Sequence, residues 1–143
     1  MKTNSGKMEN KNYKIGKAFF EKEWNDEKIK IHSECVIEAC INMSLSTDLN
    51  QNIFIIAGWI HDLGRKIDKD SHHVLSLDFL KEFLKENTNF TEIEKELKDC
   101  ILNHRSEGNP ETIYGLIFKC ADKVALHNNK WLEYKKNKKS SCS

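Results

Sequence analysis

Apolar residues along the chain recur at intervals of three and four far more often than they alternate with polar ones, the pattern of amphipathic helices rather than strands. One proline and six glycines interrupt it, so the spacing predicts an all-helical, single-domain bundle of about six helices. The first helix is expected over 15–24. The second runs over 26–43, with Ile29, His32, Val36, Ala39 and Cys40 on one stripe. A third covers 49–63, presents Ile53, Ile56, Ala57 and Ile60, and leads to His61, with Gly64 suited to a left-handed stop. A fourth, over 71–86, turns Leu77, Leu80, Phe83 and Leu84 inward. Thr91-Glu92-Ile93-Glu94 has the form of a capping box and opens a fifth helix whose Ile93, Leu97, Cys100, Ile101 and His104 share a face. Asn109-Pro110 reads as a cap followed by proline at the first helical position. It launches a last helix, to about Tyr134, that buries Ile113, Leu116, Ile117, Cys120, Ala121 and Val124.

Residues 1–12 and 135–143 are rich in Lys, Asn and Ser with little to bury, and are read as flexible ends around a domain of 13–134. Charged residues make up 31% of the chain, yet 23 basic and 22 acidic side chains nearly cancel to +1, which disfavours nucleic acid as a partner. The longest apolar stretch, 53–60, is too short for a bilayer, and the N-terminus lacks the apolar segment of a secretory signal. A cytoplasmic protein without a membrane partner is expected. The five cysteines include no C-x-x-C pair. Cys35, Cys40, Cys100 and Cys120 lie among aliphatic residues and are read as buried thiols, Cys142 as incidental in a polar tail.

Candidate chemistry concentrates on apolar faces. Separate helices each deliver an imidazole or a carboxylate from or beside such a face: His32, the pair His61-Asp62, His104 and Asp122. Burying these groups unpartnered would cost a few kcal/mol apiece. A divalent cation would neutralise the carboxylates and use the imidazole lone pairs.

The stretch Ala57-Gly58-Trp59-Ile60-His61-Asp62-Leu63-Gly64-Arg65 resembles the signature of the HD superfamily of metal-dependent phosphohydrolases. In that family a His comes first, a His-Asp pair follows an apolar helix, and an Asp closes the set within an Ala-Asp step. Here the order is His32, His61-Asp62 and Ala121-Asp122, and the resemblance covers 26–130. It implies a divalent metal held by His32, His61, Asp62 and Asp122. Two-metal members add two histidines. His72, with small Ser76 four residues on, resembles the first of them, His73 being the competing candidate, and His104 resembles the second. Asp62 would then bridge two ions, and Mn, Fe, Co, Ni, Zn or Mg could serve.

The resemblance further implies hydrolysis of a phosphomonoester, phosphodiester or phosphoanhydride of a small nucleotide by a metal-activated hydroxide, oriented by catalytic Asp62. The short connection from Asp62 to His72 and the step Ala121-Asp122-Lys123 look closest to small dinucleoside-tetraphosphate hydrolases, an analogy at family level. The two arginines of the chain, Arg65 and Arg105, both flank the motif and suit phosphate oxygens, Arg65 with a catalytic share and Lys66 as a further substrate contact. The plainer reading pairs them with Asp68 or Glu107 at the surface. Trp24, Trp59 and Trp131 are candidates to stack a nucleobase, although Trp59, two positions before His61, is read as helix packing. Two rival functions remain open: a non-catalytic metal or nucleotide sensor, marked by an exposed apolar patch from Ile113 onward, and an RNA-associated protein acting through its basic tail. The expected partner is a small nucleotide or phosphate ester, and the chain a monomer or homodimer.

Overall fold

The computed structural model describes residues 10–142, so the expectation of a flexible segment over 1–9 lies outside the described residues, as does Ser143. Among the described residues are seven α-helices and no strand: α1 (Lys11–Glu23), α2 (Glu27–Met43), α3 (Gln51–Ile60), α4 (His72–Glu86), α5 (Glu94–Leu102), α6 (Ile113–Val124) and α7 (Asn129–Cys142). Single 3-10 turns occupy Leu63–Lys66, Thr88–Ile93 and Ala125–His127. None of these helices is long and apolar enough to cross a membrane.

Helix α3 runs through the middle, buried from Ile53 to Ile60. Helices α1 and α2 pack along it, α5 covers another side, and α6 lies against both α2 and α5. Gly58 permits the approach of α2, because a Cβ there would sit 2.3 Å from Ile37 Cγ1. Phe20, Phe54, Trp59, Phe83 and Phe118 are fully buried, each stabilising the bundle by roughly 1.5–3 kcal/mol relative to exposure. Helix α4 packs on the 3-10 turn that follows α3 and on α5. The end of α3 is thereby enclosed.

Several expectations are corrected. Helix α1 starts at Lys11, inside the segment read as a flexible end, because Asn10 caps it through the amides of Asn12 and Tyr13, and Tyr13 is buried against Trp59. The helix over Lys-rich 135–142 continues past the expected boundary at 134. Buried Trp131 docks α7, and lysine then propagates a helix readily. Thr91 opens no capping box, since its hydroxyl donates to Thr88 O within a 3-10 turn.

The long last helix is two helices. Asp99 gathers the amides of Glu111 and Thr112 and the Thr112 hydroxyl, so α6 starts at Thr112, which caps Gly115 N, and not at Asn109-Pro110. Asn128, in extended backbone, ends the run, and its side chain accepts from Lys130 N at the start of α7. The buried face of α6 is Gly115, Phe118 and Ala121, while Ile113, Leu116 and Val124 are 51%, 51% and 49% exposed and Cys120 is exposed too. Cys35, Cys40 and Cys100 are buried as expected.

Candidate metal centre

Three of the four clustered imidazoles are set by one local device. His61 follows α3, His104 follows α5 and His72 opens α4. In each, ring Nδ1 lies against the carbonyl three residues earlier: His61 on Gly58 O at 2.8 Å, His72 on Lys69 O at 2.8 Å, and His104 on Ile101 O at 2.6 Å. A carbonyl only accepts, so Nδ1 carries the hydrogen and Nε2 keeps a bare lone pair whenever the ring is neutral. Such a contact from the remote ring nitrogen is how ligating histidines are oriented. This device was missed from sequence, although a histidine ending an apolar helical stripe is its signal.

The lone pairs converge on Asp62. His72 Nε2 lies 3.2 Å and His104 Nε2 3.8 Å from Asp62 Oδ1. His61 Nε2 and His32 Nε2 lie 3.4 and 3.7 Å from Asp62 Oδ2. Asp122 Oδ1 closes the other side, 3.0 Å from His32 Nε2 and 3.4 Å from His61 Nε2. Two triads could each hold a metal ion, His32-His61-Asp62 and Asp62-His72-His104, and they share Asp62. His73 is outside the cluster, its Nδ1 accepting from Arg105 at 2.8 Å.

The turn after α3 aims the carboxylate. Gly64 is not in the left-handed conformation expected of it, since no described glycine has positive φ. It is required instead by close packing, because a Cβ there would fall 2.3 Å from His72 O and 2.8 Å from Ser76 N. Buried Ser76 completes the joint, donating to His61 O at 2.8 Å and accepting from Gly64 N at 2.9 Å.

Electrostatics follow from this crowding. Burial alone would raise the Asp62 carboxyl, but the surrounding imidazoles, His61 foremost, hold it well below the usual carboxylate range. Asp122 is lowered likewise against its own burial by His32 and His61. Burial would push His61 down, yet the Asp62 and Asp122 carboxylates raise it to about 9. Burial, with neighbouring His61, takes His104 down to about 4.

The donor set suits a divalent cation. His61 Nε2 is buried without a hydrogen-bond partner. His72 Nε2 and His104 Nε2 face each other at 3.0 Å although both rings already commit Nδ1–H to a carbonyl. Two bare lone pairs at that separation repel unless a proton or a cation stands between them, and nitrogen with carboxylate oxygen is an ordinary shell for Mn, Fe, Co, Ni or Zn.

The basic residues separate. Arg65 Nε donates to Asp62 Oδ1 at 3.1 Å, not to Asp68. Arg105 stands beside the cluster, held by Asp70 O at 2.8 Å and paired with Glu107 at 3.3 Å. Lys66, read as a substrate contact, turns away and donates to Glu23 O on α1 at 2.6 Å, because the 3-10 turn puts it on the far side from Asp62. Trp59 is fully buried in the core as expected.

No curated protein and no solved structure matches the chain significantly. The family model for the HD domain matches residues 29–126, more than half of the 143-residue chain and all of the clustered side chains from His32 to Asp122. The chain belongs to the HD domain family.

Proposed function

We propose that this protein is a metal-dependent phosphohydrolase that acts on a small nucleotide. The observation that carries the reading is the sharing of Asp62 by two ligand triads, with Arg65 on the same carboxylate. HD domains form a superfamily of metal-dependent phosphohydrolases, which supports the reaction class but not a substrate. When bound at these triads, divalent ions would supply a nucleophilic water of lowered pKa and charge to match a phosphoryl group.

The residues of the chain do the rest. The four imidazoles keep Nε2 toward one point because three are tethered through Nδ1, so the ligand shell exists before any ion arrives. Two carboxylates against two dications leave the centre net positive, which attracts phosphate. Arg65 spends one of its five donors on Asp62 and retains capacity for phosphate oxygens.

The test incubates protein loaded with Mn, Fe, Co or Ni with a nucleotide panel and 4-nitrophenyl phosphate esters. Turnover that disappears in Asp62→Asn is expected, and no turnover with any of the four metals overturns the assignment. One observation favours a second reading, a non-catalytic sensor: the exposed apolar residues Ile113, Leu116 and Val124 on α6. Tight nucleotide binding without hydrolysis would decide for it.

A further inference from the structure

Two clefts of unlike chemistry open onto the Asp62 cluster. The first, about 410 Å³, is walled by Trp24, Trp131, Ile29 and Leu126, carries the charged side chains of Asp26, Lys28 and Lys69 along its edge, and reaches His32, Asp62 and Arg65. That volume lies within the roughly 300–1,000 Å³ usual for small-molecule sites. Its apolar wall meets the cluster through Trp131. Trp131 sets its ring edge to His32, centroids 5.4 Å apart, and stacks on Tyr134 at 6.0 Å with 25° between planes. Leu126 remains 46% exposed beside it.

The second cleft, about 300 Å³, begins at His72, His104 and Asp122 and is lined by no aliphatic or aromatic carbocyclic side chain. Its cations are Arg65, Arg105 and Lys123, against the carboxylates of Asp122 and of Glu107, which pairs with Arg105 at 3.3 Å, and Arg65 is common to both clefts. Arg105 is already positioned there, donating to Asp70 O and to His73 Nδ1, both at 2.8 Å. Lys123 is held by Ser106 Oγ at 2.9 Å.

We propose that the cleft between Trp24 and Trp131 is a nucleobase subsite and the Arg105-Lys123 cleft a distal-phosphate subsite, which makes the substrate a nucleoside polyphosphate laid across Asp62. The inference rests on the phosphohydrolase reading and narrows it. A flat, weakly hydrated ring matches the indole and aliphatic walls, and stacking on aromatic side chains tolerates any base. A chain of anionic oxygens matches a cleft that offers guanidinium and ammonium donors and nothing apolar. A symmetric dinucleotide would lay its second base among cations with nothing to stack on. A sugar phosphate would leave the apolar wall in water.

The test compares binding of two matched probes to the metal-loaded protein by titration calorimetry: a methylene-bridged, non-hydrolysable purine nucleoside triphosphate and the base-free methylene-bridged triphosphate. Wild type is expected to bind the nucleoside form about tenfold more tightly. Trp24→Ala should erase that advantage while base-free affinity stays unchanged, Trp24→Phe should restore most of it, and Arg105→Gln should weaken both probes alike. No base advantage in wild type, equal weakening of both probes by Trp24→Ala, or unchanged affinities in Arg105→Gln overturns the assignment. Hydrolysis of authentic nucleoside triphosphates is scored separately. A base advantage without turnover upholds the two subsites and removes the hydrolase reading, and turnover without a base advantage does the reverse.

Discussion

A single methyl group at Gly64 should dismantle half of the candidate metal centre without replacing any of its imidazoles or carboxylates. The Cβ of Gly64→Ala would stand 2.3 Å from His72 O, whereas ordinary contact begins near 3.4 Å, so the first turn of α4 must retreat by about 1.1 Å. The clashing atoms are backbone, including His72 Cα at 2.9 Å, and no rotamer change relieves them. Overpacking of this kind costs about 1–3 kcal/mol. For 143 residues at roughly 2.1 cal/mol/K per residue, that is a fall in Tm of about 3–10 °C. The displacement also carries His72 Nε2 away from Asp62 Oδ1, now 3.2 Å distant, by more than the roughly 0.5 Å that a preorganised site tolerates. Affinity at the His72-His104 triad should drop about 10–100-fold, while the His32-His61 triad, which α4 does not supply, keeps its ion. Thermal unfolding, together with elemental analysis and metal titration, reads both effects. Two ions bound at wild-type affinity, with unfolding within about 2 °C of wild type, would refute the reasoning.

Other outcomes follow from the same geometry. His72→Ala should lose one ion whereas His73→Ala, whose ring pairs with Arg105, meets His72 edge-on and reaches no carboxylate of the cluster, should keep both; equal metal content in the two variants contradicts the placement. Metal-free His61 holds its proton up to about 9, so loading at pH 7.5 should expel about one proton and affinity should climb until about pH 9, whereas His104, at about 4, contributes none. Calorimetry in buffers of different ionisation heat counts that proton, and a count of zero is incompatible with His61 as a ligand. For stability the sign is that of a raised imidazole: the metal-free protein keeps the His61-carboxylate contribution below about pH 6.5 and loses it as pH rises through about 9, visible as a falling Tm. Asp99→Ala strands the amides of Glu111 and Thr112 and should cost about 2–4 kcal/mol, or roughly 7–13 °C by the same conversion, and an unchanged Tm would deny Asp99 its part in starting α6.

Much of this protein was legible one residue at a time. Helix α2 shows its buried stripe in sequence because Ile29, His32, Val36, Ala39 and Cys40 share one face, which the structure buries and widens to include Cys35 and Ile37. The order His32, His61-Asp62, Asp122 was equally legible, since each group sits on or at the end of a periodic apolar segment. Helix α6 is different. It is apolar on two faces, so periodicity offers two stripes and cannot choose between them, and the spacing read from Ile113 to Val124 picks a stripe exposed at Ile113, Leu116, Cys120 and Val124, partly buried at Ile117 and buried at Ala121. Phe118 is the residue turned inward, against the rings of His61 and His104.

Sequence by itself determined that the chain is helical and that His61 and His104 end apolar helical stripes, because both depend on contacts within about four residues. Tertiary packing alone decided which of two adjacent histidines reaches Asp62, which cation faces the site, and that Gly64 serves contact rather than backbone turning. Arg65 and Lys66 are neighbours of the same charge, yet one meets Asp62 and the other the Glu23 carbonyl. The 3-10 turn separates them, since it sets residues three apart on one side, Arg65 with Asp62, and turns Lys66 away. The choice rests on α4 closing against the turn after α3, an arrangement that exists only once the helices have met.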